Sequence, residues 1–209
     1  MTQECPICGQ TYGLTHQCAG APPRAAAPEW TPPPGFAPWH YFRQALAIAR
    51  FQDAAILEAS RDPQALGYGA IIWLIAMLLS FGKALLVAAS SHHAIAWPFL
   101  FVGFAVAVVF GAMVTVGQYA VCHLLARWWF GARGTLLGVL RAMLLGWVVI
   151  WLYVIPWVGM LVGGLWAIAV LMRVFEEVDR IGRLQAFGLA VVTGIVVQVL
   201  TFTVLHGAR

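Results

Sequence analysis

The sequence predicts an all-α integral membrane protein: a five-helix transmembrane bundle preceded by an amphipathic helix and a small cysteine-rich head. Three observations carry that expectation. Of the 209 residues, 62% are hydrophobic and 10% charged, whereas soluble domains carry about 25% charged residues. No acidic residue occurs between Asp62 and Glu176, a stretch filled with Leu, Val, Ile, Trp and Gly. Five segments approach the roughly 20 apolar residues that a helix needs to cross the hydrocarbon core. The formal charge of +4 does not indicate nucleic acid, because Lys and Arg form no run. The expected partner is the lipid bilayer.

Residues 1–18 form the head, and its chemistry depends on which side of the membrane it faces. Arg24, Arg43, Arg50 and Arg61 precede the first apolar segment. Arg127 and Arg133, then Arg173, Arg180 and Arg183, fall on the same side when crossings alternate. Only Arg209 follows the last segment. Basic residues concentrate in cytoplasmic loops, so the head is expected in the cytoplasm and the C-terminus outside. Met1–Cys8 is neither basic nor followed by an apolar run, so the first span is expected to do the targeting.

In a reducing compartment clustered cysteines usually bind metal. The head reads Cys5-x2-Cys8-x7-His16-x-Cys18, with Gly9 placed to let backbone N–H groups face the sulfurs of a knuckle. Cys5, Cys8, His16 and Cys18 match the closed Cys3His set of structural zinc. A thioredoxin-type redox pair would open a helix in a βαβ setting, and haem attachment would need His where Gly9 stands. A loop without any ligand is the remaining alternative. So short a head is expected to draw most of its folding free energy from the metal.

Residues 19–38 contain seven prolines and read as an extended linker, up to about 60 Å long at roughly 3.1 Å per residue. Residues 39–62 then read as one amphipathic helix. His40, Arg43, Gln44, Arg50, Glu58 and Arg61 fall on one side, and Tyr41, Phe42, Leu46, Ile48, Ile56 and Leu57 on the other. Gln52 and Asp53 are flaws in that pattern. Such a helix suits the membrane interface, its arginines near anionic head groups; a small soluble helical segment is the alternative. Arg61-Asp62-Pro63 ends it.

The membrane domain, residues 63–209, holds spans at about 68–89, 97–126, 135–155, 157–175 and 184–205. The second is long enough to tilt or to project past the bilayer. Pro156 turns the third into the fourth as an antiparallel hairpin. Gly134-x3-Gly138 and Gly159-x3-Gly163 offer close helix contacts, and self-association of copies is a further expectation the sequence admits.

Ionisable residues inside a membrane are functional candidates by default. Lys83, near the outer end of the first span, is expected to snorkel outward. Arg141 is expected to pair with Glu176 across the hairpin. His123 and Arg127 lie one turn apart at the cytoplasmic end of the second span, where a packing or interfacial role is expected. Cys122 reads as a packing residue. The sequence has no HExxH motif, P-loop or dinucleotide fingerprint, so no catalytic residue is expected.

The order LEASRDPQALGYGAII, HLLARWWFGARGTLLGVLRAMLLG and YVIPWVGMLVGGLWAIAVLMRVFEEVDRIGRLQAFG resembles the Ypt-interacting-protein (Yip) family of five-span membrane proteins. The resemblance runs from about residue 39 to 207. It rests on the amphipathic segment ending in Asp-Pro, the His123-Leu-Leu-Ala-Arg127 helix end, Thr135 and Arg141, the Ile155-Pro156 hairpin, and Trp166…Arg173…Glu176. It implies a non-enzymatic protein. Eukaryotic members bind prenylated small GTPases; the zinc head departs from their pattern and is similar to appendages of bacterial members, so the resemblance implies a bacterial inner membrane and GTPase binding is not carried over.

The functional expectation is therefore a membrane adaptor or organiser whose cytoplasmic zinc module serves protein interaction or assembly. Glu176, Glu177, Asp179 and Arg180, the densest charge cluster, are the expected contact with a cytoplasmic protein. The alternative is a small transporter or channel, its path lined by Lys83, Arg141, Gln118, Thr115, Thr193 and Gln198. A membrane enzyme ranks third, with only His92 and His93 in its favour.

Overall fold

The computed structural model describes residues 35–90, 97–155 and 158–194, together with the strands Gln3–Glu4 and Thr11–Tyr12. The chain divides into two units, Met1–Pro33 and Pro34–Arg209. In the first, β1 (Gln3–Glu4) pairs antiparallel with β2 (Thr11–Tyr12), Gln3 opposite Tyr12 and Glu4 opposite Thr11.

The second unit is helical. It comprises α1 (Pro38–Ala49), α2 (Asp53–Arg61), α3 (Ala65–Ser90), α4 (Trp97–Phe130), α5 (Leu136–Gly146), a 3₁₀ segment (Trp147–Val154) and α6 (Val158–Val178). A further helix, α7, covers residues 183–194. Three stretches among the described residues are long and apolar enough to cross a membrane: Ala65–Leu86, Phe99–Phe130 and Leu136–Val154. The chain is thus an all-α membrane protein.

The amphipathic segment is two helices rather than one. Pro38 opens α1 at a position where its missing N–H costs nothing, and the helix closes in a six-residue cap: Phe51 N–H donates to Ile48 O at 2.8 Å and Gln52 N–H to Ala47 O at 3.0 Å. That cap needs a left-handed residue, and Phe51 adopts it at φ 61°. A glycine would ordinarily sit there; Phe51 instead stacks on Trp166, ring centroids 6.0 Å apart. Asp53 then opens α2, a carboxylate suited to a helix N-terminus.

The apolar side of this hairpin is covered by protein. Tyr41, Ala45, Ile48, Ile56 and Ala59 are fully buried in one core with Val139, Leu145, Val174 and Phe175 of α5 and α6. The apolar face that the sequence marks out is thus turned to α5 and α6. Phe36 and Trp39 remain exposed, with Arg43 over the Trp39 ring at 5.2 Å.

The junction to α3 is fixed by Asp62, whose side chain is inaccessible to solvent. It accepts from the Tyr41 hydroxyl at 2.5 Å and from Gln64 N–H at 2.8 Å. Burial, with the Asp62 carboxylate beside it, pushes the Tyr41 phenol well above its usual range, so it remains a donor at any working pH. Tyr41→Phe should leave Asp62 with a buried oxygen unpaired. The expected cost is about 1–3 kcal/mol, read as a lower unfolding temperature in detergent micelles.

α3 runs parallel to α5 and its 3₁₀ continuation, with Ile72 reaching Trp151 and Lys83 reaching Tyr153. α4 is antiparallel to α3, Phe104 lying against Phe81 and Gly111 against Trp73. α6 is antiparallel to α5, Val170 meeting Gly146 and Val178 meeting Gly138. Thr135 caps α5 by accepting from Gly138 N–H at 3.1 Å. The span expected at 135–155 is therefore present, but only its first half is α-helix.

Candidate functional site

The polar groups of the helical unit gather at the end where α4 stops and α5 starts. Gly131 ends α4 at φ 67°, with Ala132 N–H donating to Ala126 O at 3.2 Å. Arg133 N–H then reaches Asp179 O at 3.0 Å. The Asp179 carboxylate, fully buried, takes His123 Nδ1 at 3.0 and 3.1 Å on its two oxygens. A Cβ at Gly134 would overlap both Asp179 Oδ1 and the Val178 carbonyl, so only glycine lets the loop pass this close. Burial pushes the Asp179 carboxyl up, against the opposing pull of His123.

The four residues of the charge cluster do not present one exposed face. Asp179 is an internal clamp between α4 and the α6–α7 turn. Glu176 and Glu177 are turned to Arg173, at 2.5 and 3.6 Å, and the same guanidinium pairs with Asp53 at the start of α2. Arg180 alone of the four is exposed, held at φ 55°. The sequence signal was charge density, which carries no information on which way a carboxylate faces. Asp53, a flaw in the single-helix reading, is the residue that signals the α2 start and its tie to α6.

Other expectations resolve as follows. Arg141 does not meet Glu176: its Nη1 donates to Ser60 O at 3.3 Å, because Arg173 already holds Glu176 three residues away. Lys83 Nζ donates to Tyr153 O at 3.2 Å, near the end of the 3₁₀ segment. His123 and Arg127 part company, His123 buried and Arg127 exposed. Cys122 is buried, its Sγ 2.8 Å from Thr193 Oγ1. The zinc-ligand set Cys5, Cys8, His16 and Cys18 lies outside the described residues, as do His92, His93, Pro156 and Gln198. Among the described residues no three His, Cys, Asp or Glu side chains form a metal-binding group.

A cavity of about 720 Å³ opens between α4, the 3₁₀ segment, α6 and α7. Gln118, Tyr119, Trp147, Tyr153 and Ile168 contribute to a mainly apolar wall. Tyr119 is already engaged there, accepting from Trp147 Nε1 at 2.8 Å. No family model, curated protein or solved structure matches the chain.

Proposed function

We propose that the chain is a five-span, non-enzymatic membrane adaptor or organiser of the Yip-domain type, carrying a cytoplasmic zinc module on a proline-rich tether in a bacterial inner membrane. The fourth and fifth spans are α6 and the segment that begins with α7. Cys5, Cys8, His16 and Cys18 hold a structural zinc, and the module contacts a cytoplasmic protein or steadies an assembly of copies.

The observation that carries this reading is the division of the chain. Met1–Pro33 is a unit of its own, and its two strands bracket residues 5–10 in the chain. Cys5 and Cys8 lie between those paired strands in the sequence, and their Cys-x2-Cys spacing suits two thiolates on one metal. The helical unit supports the same reading, because His123, Asp179, Arg173, Lys83 and Arg141 are spent on internal contacts.

Metal content by mass spectrometry on the purified full chain tests it. About one zinc per chain is expected, lost in Cys5→Ser/Cys8→Ser, together with the protease resistance of the head, since metal binding supplies its folding. A wild-type chain free of zinc would sink the zinc module and reopen the orientation on which it rests.

The cavity favours a second reading as a small transporter. Solute flux in vesicles that is abolished by Lys83→Leu or Arg141→Leu would replace the adaptor reading.

A further inference from the structure

The 3₁₀ segment Trp147–Val154 is eight residues long and sits within a membrane-crossing stretch. Runs beyond three or four residues are uncommon, because 3₁₀ hydrogen bonds are poorer than those of an α-helix. Something must hold this one. Three donors do, each linking the segment to another helix. Trp147 Nε1 donates to Tyr119 Oη of α4 at 2.8 Å. Trp151 Nε1 donates to Ile72 O of α3 at 3.3 Å. Lys83 Nζ of α3 donates to Tyr153 O at 3.2 Å.

The geometry explains why these bonds select the 3₁₀ form. Residues four apart are turned by about 120° in a 3₁₀-helix and about 40° in an α-helix. The wider turn separates the two indoles: Trp147 reaches Tyr119 of α4 with its ring edge-on to Trp73 of α3, centroids 6.3 Å apart, while Trp151 reaches Ile72 and stacks on Phe42, centroids 5.9 Å apart. At the far end, the 3₁₀ partner of Tyr153 O would be the N–H of residue 156, which is proline and has none. Lys83 supplies the missing donor. Opposite, α6 presents Gly159 and Gly163: a Cβ on the latter would lie 2.7 Å from the Tyr153 ring.

The 3₁₀ form is also the longer one. At about 2.0 rather than 1.5 Å per residue, eight residues extend about 16 Å instead of about 12 Å. We propose that Trp147–Val154 is a length-adjusting segment, kept long by Tyr119, Ile72 and Lys83, which shortens by about 4 Å into α-helix when the surrounding bilayer is thin. Its ligand is the lipid surface itself, acting through hydrophobic mismatch, which penalises each ångström of unmatched apolar length. Three bonds favour the long form, and better backbone hydrogen bonds favour the short one. Bilayer thickness tips that balance.

The test uses the full chain with nitroxide amino acids at Leu137 and Val154, both exposed, in phosphatidylcholine vesicles of 14-carbon or 22-carbon acyl chains. Pulsed electron resonance should read a distance about 4 Å longer in the thicker bilayer. Trp151→Phe, which keeps the stack on Phe42 and loses the bond to Ile72, should give the short distance in both. A control pair at Ile71 and Leu86 on α3 should not change. An equal Leu137–Val154 distance in the two bilayers would overturn the proposal. So would a change shared by the control pair, or a long distance retained by Trp151→Phe in the thin bilayer.

Discussion

His123→Ala is expected to destabilise the folded chain by about 3 kcal/mol, the cost of leaving a buried hydrogen-bonding carboxyl group without its partner. The substitution leaves the Asp179 carboxylate fully buried with its imidazole partner gone and the Val178 carbonyl close by across Gly134. The pH dependence identifies the cause. Burial already raises the Asp179 carboxyl above its unfolded value, so the folded state holds that proton more tightly than the unfolded chain. The resulting contribution is complete below the unfolded value of about 3.9 and is lost as pH rises through the raised folded value. Without His123 the carboxyl should rise further, so His123→Ala should regain stability on acidification. Asp179→Asn, which has no proton to exchange, should lose that part of the pH dependence. Unfolding temperatures in detergent micelles from roughly pH 4 to 8 would show it. A His123→Ala deficit of the same size at every pH would mean that lost packing, and not an unpaired carboxylate, is responsible.

Gly159→Ala is the second large expected effect, about 3 kcal/mol or more from forced separation of packed elements. A Cβ at this position would overlap the Leu152 carbonyl and lie 2.9 Å from its carbon and 3.0 Å from Ile155 Cβ. Two of those atoms belong to backbone, which cannot swing aside as a side chain can. The end of the 3₁₀ segment and the start of α6 would have to move apart, taking Tyr153 O from Lys83. Gly188→Ala is the control. It lies in α7, with no heavy atom within 4 Å of the place its methyl would take, and should gain up to about 1 kcal/mol from helix propensity alone. Comparable unfolding temperatures for the two variants would remove the close contact as the reason for glycine at 159.

Much of the architecture was legible because lipid imposes a simple rule on sequence. A run of apolar residues without acidic interruption is itself the signal for a crossing helix, and α3 and α4 fall where the sequence placed them. Thr135 and Arg61-Asp62-Pro63 mark helix ends through side-chain chemistry that any reader of sequence can apply. The elbow at Phe51 was hidden for the opposite reason. Helical periodicity cannot report the sign of one φ angle, and phenylalanine is a poor advertisement for a left-handed cap. Gln52 and Asp53 did interrupt the apolar stripe, and that interruption was the elbow. Arg141 was misassigned because depth in the membrane limits which residues can meet without saying which partner is already taken. The 3₁₀ segment has no periodic signature over eight apolar residues; its cause lies in Tyr119, Ile72 and Lys83, far away in the chain.

The elbow also has a history written into its contacts. Trp166 Nε1 donates to Ala49 O across a separation of 117 residues, and Arg173 meets Asp53 across 120. At about 5–20 residues per second, a ribosome delivers those partners roughly 6–24 seconds after the elbow leaves it. For that interval Tyr41, Ile48 and Ile56 lack α6 to cover them, and for most of it they lack α5 as well. The amphipathic hairpin therefore waits with its apolar side uncovered and becomes a keystone only when α6 arrives. A nascent chain stalled before α6 should leave the hairpin open to proteases that the finished protein excludes.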